Sequence, residues 1–310
     1  MRIVHFLKRN INDIVGELEE IKKQGFDAIQ ISSVQPFKDQ YKEHEWYMLY
    51  QPLSFSIGNV YGSREDLVNL CNEARKYGLG IIVDVVCNHT ANLDDHHPLI
   101  PHPDVDATLR DNPYFWKERK DIYPGDWKDR EKVTHRCMGL PGLEAANYDL
   151  QDIIGNFLHE LVECGVAGFR FDAAKSIALP EEHFYNYPDC HFWSRILKDK
   201  LGDKKLFNYG EVIFPDNEEQ IRSYQKYMNV LTNYQSENIP DVVTFHESHD
   251  TFLGHDNLGW SKNRSEDEVC TGYFDIARRF DNTLFFNRPN TEMWRRSDIK
   301  KANKCRVLKK

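Results

Sequence analysis

Eight short apolar runs, most of them followed by a stretch whose apolar residues recur at helical spacing, limit this chain to very few architectures. The run at 3–7 precedes Ile11, Ile14, Val15, Leu18 and Ile21, the pattern of a buried strand leading into an amphipathic helix. A second strand is expected at 27–31, with a helix near 64–77 on which Leu67, Leu70, Cys71 and Ala74 share a face. Gly78 stops that helix. The run at 80–86 is almost wholly apolar, as a parallel strand covered on both faces must be. Further strands are expected at 168–171, 205–209, 229–234, 242–245 and 283–286. Eight strands alternating with helices predict an α/β chain closed into a (β/α)₈ barrel, and 310 residues suit one such barrel with an insertion.

Two interruptions mark that pattern. From 90 to 146 periodicity gives way to His, Asp, Pro and aromatic residues, a loop-rich insertion on the barrel rim. This divides the chain into a barrel of residues 1–89 and 147–310 and an inserted domain at 90–146. Between Tyr234 and Asp241 lie only six residues, whereas a parallel crossover with its helix takes about 10–12. Six extended residues span roughly 20 Å, so the barrel can close with its sixth helix missing. The expected consequence is an uncovered patch of apolar wall and self-association through it. Past Arg288-Pro289 only a short basic segment follows, read as a solvated end helix or frayed terminus.

The net charge of −9 argues against nucleic acid as a partner. No run reaches the roughly 18 apolar residues of a membrane span, and no signal-peptide pattern precedes the first strand. The seven cysteines form no Cys-x-x-Cys pair. A reduced, cytoplasmic protein away from membranes is the expectation. His96, His97 and His102 lack the spacing of a zinc motif and read as surface loop residues.

Catalytic groups in a barrel come from the carboxyl ends of the strands. Polar residues stand there in Asp84-Val85-Val86-Cys87-Asn88-His89, Arg170-Phe171-Asp172-Ala173-Ala174-Lys175, Gly210-Glu211-Val212 and His246-Glu247-Ser248-His249-Asp250. With Trp46-Tyr47-Met48-Leu49-Tyr50-Gln51-Pro52 before them and Gly139-Leu140-Pro141-Gly142-Leu143 in the insertion, the chain resembles the α-amylase family, glycoside hydrolase family thirteen. The resemblance covers almost the whole chain.

It implies a retaining endo-acting hydrolase of α-1,4-glucosidic bonds in starch, glycogen or maltodextrins, with no organic cofactor. Retention takes a carboxylate nucleophile and a carboxylic acid about 5–5.5 Å apart. The resemblance assigns these to Asp172 and Glu211, with Asp250 as a third carboxylate that binds sugar hydroxyls. Arg170, on the strand face of Asp172, is expected to lower the nucleophile's pKa. Trp46, Tyr47, Tyr50, His89, Arg170, Lys175 and His249 become the substrate contacts, Tyr50 offering a flat face to the sugar and Lys175 lying on the leaving-group side. Asp84 reads as a structural carboxylate paired with Arg170. A secreted ancestry would explain such a substrate better than a cytoplasmic address.

Asn88 reads as either a loop-capping residue or a calcium ligand. A family calcium site would combine its side chain, backbone carbonyls and an acidic residue of the insertion, but Gly142 stands where many members carry aspartate. Asp94, Asp95, Asp104 and Asp106 are substitutes. Chloride, held in some relatives by two arginines and an asparagine, is not expected, because Ser248 replaces the asparagine beside Arg170 and Arg288. Two competing readings remain: a shortened, degenerate relative with weak glucan binding and little activity, and a transglycosylase.

Overall fold

The computed structural model describes residues 1–202, 205–233, 238–254 and 259–305. Eight strands, β1 Arg2–Phe6, β2 Ala28–Ile31, β3 Gly80–Val85, β4 Gly168–Phe171, β5 Tyr209–Glu211, β6 Asn229–Thr232, β7 Val242–Phe245 and β8 Asn282–Asn287, pair in parallel in chain order. β8 returns to β1 with Val4 opposite Phe285, closing a (β/α)₈ TIM barrel. Side chains on a strand alternate between faces. Ile3, Ala28, Ile82, Tyr209, Leu231, Val243 and Leu284 pack together in one cluster, while Val4, Ile29, Val83 and Phe169 join the larger core that includes the helices. β4 lies close to the segment leading into β5 at Gly168, where a Cβ would lie 2.0 Å from the Phe207 carbonyl oxygen.

The longer helices begin at side-chain caps. Ser63 and Asp66 form a capping box at the start of Arg64–Lys76, Ser265 and Glu268 do so at Glu266–Arg279, and the Asn147 side chain caps Tyr148–Glu163. Such caps satisfy amides that have no partner inside the helix. Between β3 and Tyr148–Glu163 the chain forms two small sheets, Asn92–Asp94 with His97–Pro101 and Glu118–Asp121 with Arg136–Cys137.

Three expectations need correction. The fifth strand lies at Tyr209–Glu211 rather than 205–209, so Glu211 stands on the strand itself and inherits its inward direction. No helix connects β6 to β7 among the described residues, as expected, but the wall is not bare there. Ile239 of the short connection is buried with Val230 and Val242, and Arg222 donates to the Asn238 carbonyl. The basic C-terminal segment is the end helix of the two readings, but docked rather than solvated: Ser297–Lys304 has Ile299 and Ala302 buried. Tyr273 donates to Asn303 Oδ1 at 2.7 Å, and Asn303 Nδ2 donates to the Gln24 carbonyl at 3.0 Å.

Candidate active site

Charged groups from β3, β4 and β5 and from the turn after β7 meet at one end of the barrel, around a single arginine. Arg170 is 1% exposed. Its Nη1 donates to Asp84 Oδ1 at 2.8 Å and to Asp172 Oδ1 at 2.7 Å, and its Nη2 donates to Glu211 Oε1. The Tyr50 hydroxyl donates to the other Asp84 oxygen at 2.9 Å, so Asp84 is the structural carboxylate the sequence indicated. The second Glu211 oxygen accepts the Ala173 amide at 3.0 Å. Ala173 has a φ of 46°, a left-handed conformation that an alanine keeps only when its surroundings enforce it. This turn, immediately after Asp172, holds the Asp172 and Glu211 carboxyl groups side by side.

Asp250 lies in the first turn of the helix His249–Leu253, which Ser248 caps. Its Oδ2 is 3.5 Å from His249 Nε2, and it is close enough to Asp172 and Arg170 for their charges to act on one another. Three carboxyl groups, Asp84, Asp172 and Glu211, thus share one guanidinium, with Asp250 beside them. Burial lifts Asp172 well above the usual carboxylate range, with Arg170 pulling the other way and Glu211, Asp84 and Asp250 adding to the rise. Burial likewise raises Asp250 to about 6. Arg170 does act on Asp172 in the direction expected from sequence, but desolvation outweighs it.

His89 and His249 are buried, and burial pushes both down to about 4. His89 Nε2 is 2.9 Å from the Tyr50 carbonyl and 4.0 Å from Asp172 Oδ2, with Nδ1 facing Asn88 Nδ2 at 3.3 Å. This is the neutral tautomer protonated on Nε2. Tyr50 is only 9% exposed, and its ring stacks on His249 with centroids 5.1 Å apart and planes at 5°. One face that the sequence offered to a sugar is therefore covered. Trp46 packs edge-on against both rings, and Tyr47, 38% exposed, is open to solvent. Lys175 Nζ donates to the Phe214 carbonyl at 2.7 Å, tying the turn after β4 to the turn after β5.

The donor set at Asn88 does not fit calcium. Asn88 Oδ1 accepts from Lys117 Nζ at 2.7 Å, and the same ammonium donates to the Ser176 carbonyl at 2.9 Å. The acidic substitutes are engaged or remote in function: Asp94 accepts from His96 and His97, Asp106 caps the next helix, and Asp95 and Asp104 are exposed. No cluster of three His, Cys, Asp or Glu side chains able to hold a metal occurs among the described residues. Chloride fits no better, because Arg288 gives its guanidinium fork to Glu247 through two 2.8 Å bonds. Sequence reasoning passed over Lys117 and Glu247. The only signal for Lys117 was the missing aspartate at Gly142. His97 sits on Asp94 in an exposed pair, in keeping with the surface reading of the histidine cluster.

Residues 10–279 match the family model described as alpha amylase, catalytic domain. An alpha-amylase of Clostridium acetobutylicum is 29% identical over 97% of this chain and 42% of its own length. One of Butyrivibrio fibrisolvens is 28% identical over 93% of this chain and 35% of its own length. The chain thus spans less than half of either relative. Among solved structures, the Geobacillus thermoleovorans alpha-amylase complexed with acarbose shares the fold with a TM-score of 0.72 at 17% identity, over 97% of this chain and 77% of that one.

Proposed function

Since this chain belongs to the alpha-amylase family through its catalytic domain, we propose that it is the barrel of a retaining, endo-acting hydrolase of α-1,4-glucosidic bonds in starch, glycogen or maltodextrins. The observation that carries the reading is the pairing of Asp172 and Glu211 on the two terminal nitrogens of Arg170. Two carboxyl groups set this close suit a double displacement, in which one attacks the sugar and the other manages the proton.

Glu211 protonates the glycosidic oxygen as Asp172 attacks the anomeric carbon. Glu211 then takes a proton from water, which releases the sugar from Asp172. Arg170, bonded to both, supports the ionised form of whichever carboxyl has given up its proton. Asp250 accepts from sugar hydroxyls, with His89 and His249 beside it as neutral hydrogen-bonding groups. Trp46 and Tyr47 provide apolar ring surface for neighbouring glucose units, and Lys175 contacts the leaving side. Acarbose in the Geobacillus structure supports a carbohydrate ligand for this barrel.

The test is release of reducing ends from soluble starch by purified protein, followed by the size and anomeric form of the products. A spread of lengths, released first as the α-anomer, is expected. The β-anomer, or no release from a folded protein, sinks the proposal, and products longer than the starting maltooligosaccharide would move it to transglycosylation.

The pH dependence has a defined sign. Asp250 holds its proton below about 6 and burial raises the nucleophile Asp172 as well, so kcat/KM is expected to rise with pH through about 6 and above as both carboxylates form. A carboxyl raised on folding stabilises fully below its ordinary value near 4 and loses that contribution as pH rises through about 6. His89 and His249, depressed to about 4, act in the opposite sense. Their contribution is complete above about 6.5 and is lost as pH falls towards 4. An acid limb centred near the ordinary aspartate value would contradict the raised protonation of Asp172 and Asp250.

A further inference from the structure

We propose that Lys117 is a built-in cation occupying the position of the family's calcium ion, so that this chain joins its insertion to its barrel without a divalent metal. The ammonium bonds oxygens from two separate barrel loops, Asn88 after β3 and Ser176 after β4. It does so from the insertion, where the Lys117 amide donates to the Gly142 carbonyl at 2.9 Å. Three segments that a metal would otherwise clamp are clamped by one side chain.

The surroundings match an ammonium and not a calcium ion. Lys117 is 3% exposed; burial pulls its ammonium down to about 8, with Glu144 nearby acting to keep it charged, and burial raises the Glu144 carboxyl, with Lys117 acting the other way. Calcium takes about 6–8 oxygens, whereas here a thioether intrudes: Met138 Sδ is 3.3 Å from Asn88 Nδ2 and 3.5 Å from Ser176 Oγ. A buried ammonium and a divalent ion on the same Asn88 oxygen would also repel strongly.

Gly142 supplies an independent argument. A Cβ built there would lie 2.8 Å from Lys117 Cδ, and its three nearest atoms all belong to Lys117. The space an aspartate would need at 142 is filled by the lysine stem. The lost carboxylate and the gained ammonium are therefore one exchange, accommodated by the absence of a side chain at 142. A second buried lysine repeats the device at the start of the insertion, where Lys38 Nζ donates to Asn92 Oδ1 at 2.8 Å.

The test compares melting of the whole chain in excess EDTA and in excess calcium chloride, together with the metal content of the purified protein. A ligand that binds only the folded state raises its stability, so equal melting temperatures, within about 1 °C, and no stoichiometric calcium are expected. A fall in EDTA, or one calcium per chain, overturns the proposal. Lys117→Met, which leaves two buried oxygens without a donor, is expected to lower the melting temperature by roughly 3–10 °C; melting at the wild-type temperature would overturn the role of the lysine. Should that variant not fold, the wild-type measurements still decide. Gly142→Ala is expected to lower the melting temperature in the wild-type background and to have little effect beside Lys117→Ala. An equal fall in both backgrounds would show that the space at 142 does not belong to the lysine.

Discussion

Asp172→Asn is expected to reduce starch hydrolysis by about 10⁴-fold or more while melting at or above the wild-type temperature. The loss follows from chemistry, because an amide oxygen at this position cannot form the covalent sugar ester. The retained or increased stability follows from the site. Asp172 shares Arg170 with Asp84 and Glu211, and burial already makes its ionised form unfavourable. A neutral side chain of the same shape keeps the acceptor oxygen for Arg170 and removes one of the crowded negative charges. The pair of measurements is the rate of reducing-end release and a calorimetric melt. Retained activity would remove Asp172 as nucleophile. A large fall in melting temperature would mean that its charge holds the barrel together and is not a strain imposed by function.

Arg170→Met should damage both properties. Asp84 is fully buried, and the Tyr50 hydroxyl would be its only remaining partner among the bonds described. Removing one member of a buried ion pair leaves the other uncompensated, at a cost of about 3–5 kcal/mol, a large share of an ordinary domain's stability. Equilibrium unfolding in urea reads that loss directly. The deficit is expected to shrink at low pH, where the orphaned carboxyl groups take up protons, and in Arg170→Met/Asp84→Asn, where one charge is gone. Activity stays lost in both cases, because the Ala173 amide alone then ties Glu211 to the Asp172 turn and no cation balances the two carboxyl groups. Near-wild-type stability of the single variant would mean that Arg170 is not the organising cation of the site.

These two outcomes separate ancestry from competence. A folded chain with both effects is a working barrel although no sixth helix occurs among the described residues. The burial of Ile239, Val230 and Val242 makes that reading physically reasonable, since these apolar side chains of β6, the short connection and β7 are covered.

The residues by themselves determined the barrel and the identity of its charged groups. Strand and helix periods are local, so the runs at 80–86, 168–171 and 242–245 and the helix near 64–77 were legible within a residue or two of the observed bounds. That Asp172 and Glu211 would stand at strand ends, and Asp250 shortly after one, was legible from the same runs, while their roles came from the family resemblance alone. Where several segments meet, local pattern carried no information, and only the tertiary structure decided the outcome. Whether burial or Arg170 governs Asp172 depends on how many carboxyl groups three strands bring to one guanidinium. Whether Tyr50 faces a sugar or His249 depends on a ring more than a hundred residues away. The basic segment after Arg295 reads as a solvated end helix or a loose end until Tyr273 and Gln24 are found bonded to Asn303. Lys117 is an ordinary surface-type residue in sequence and a buried cation in the fold. Its role arises because Asn88, Ser176 and Gly142, from three parts of the chain, leave room for one ammonium and its stem. Burial and charge balance are sums over distant neighbours, and no window of sequence contains them.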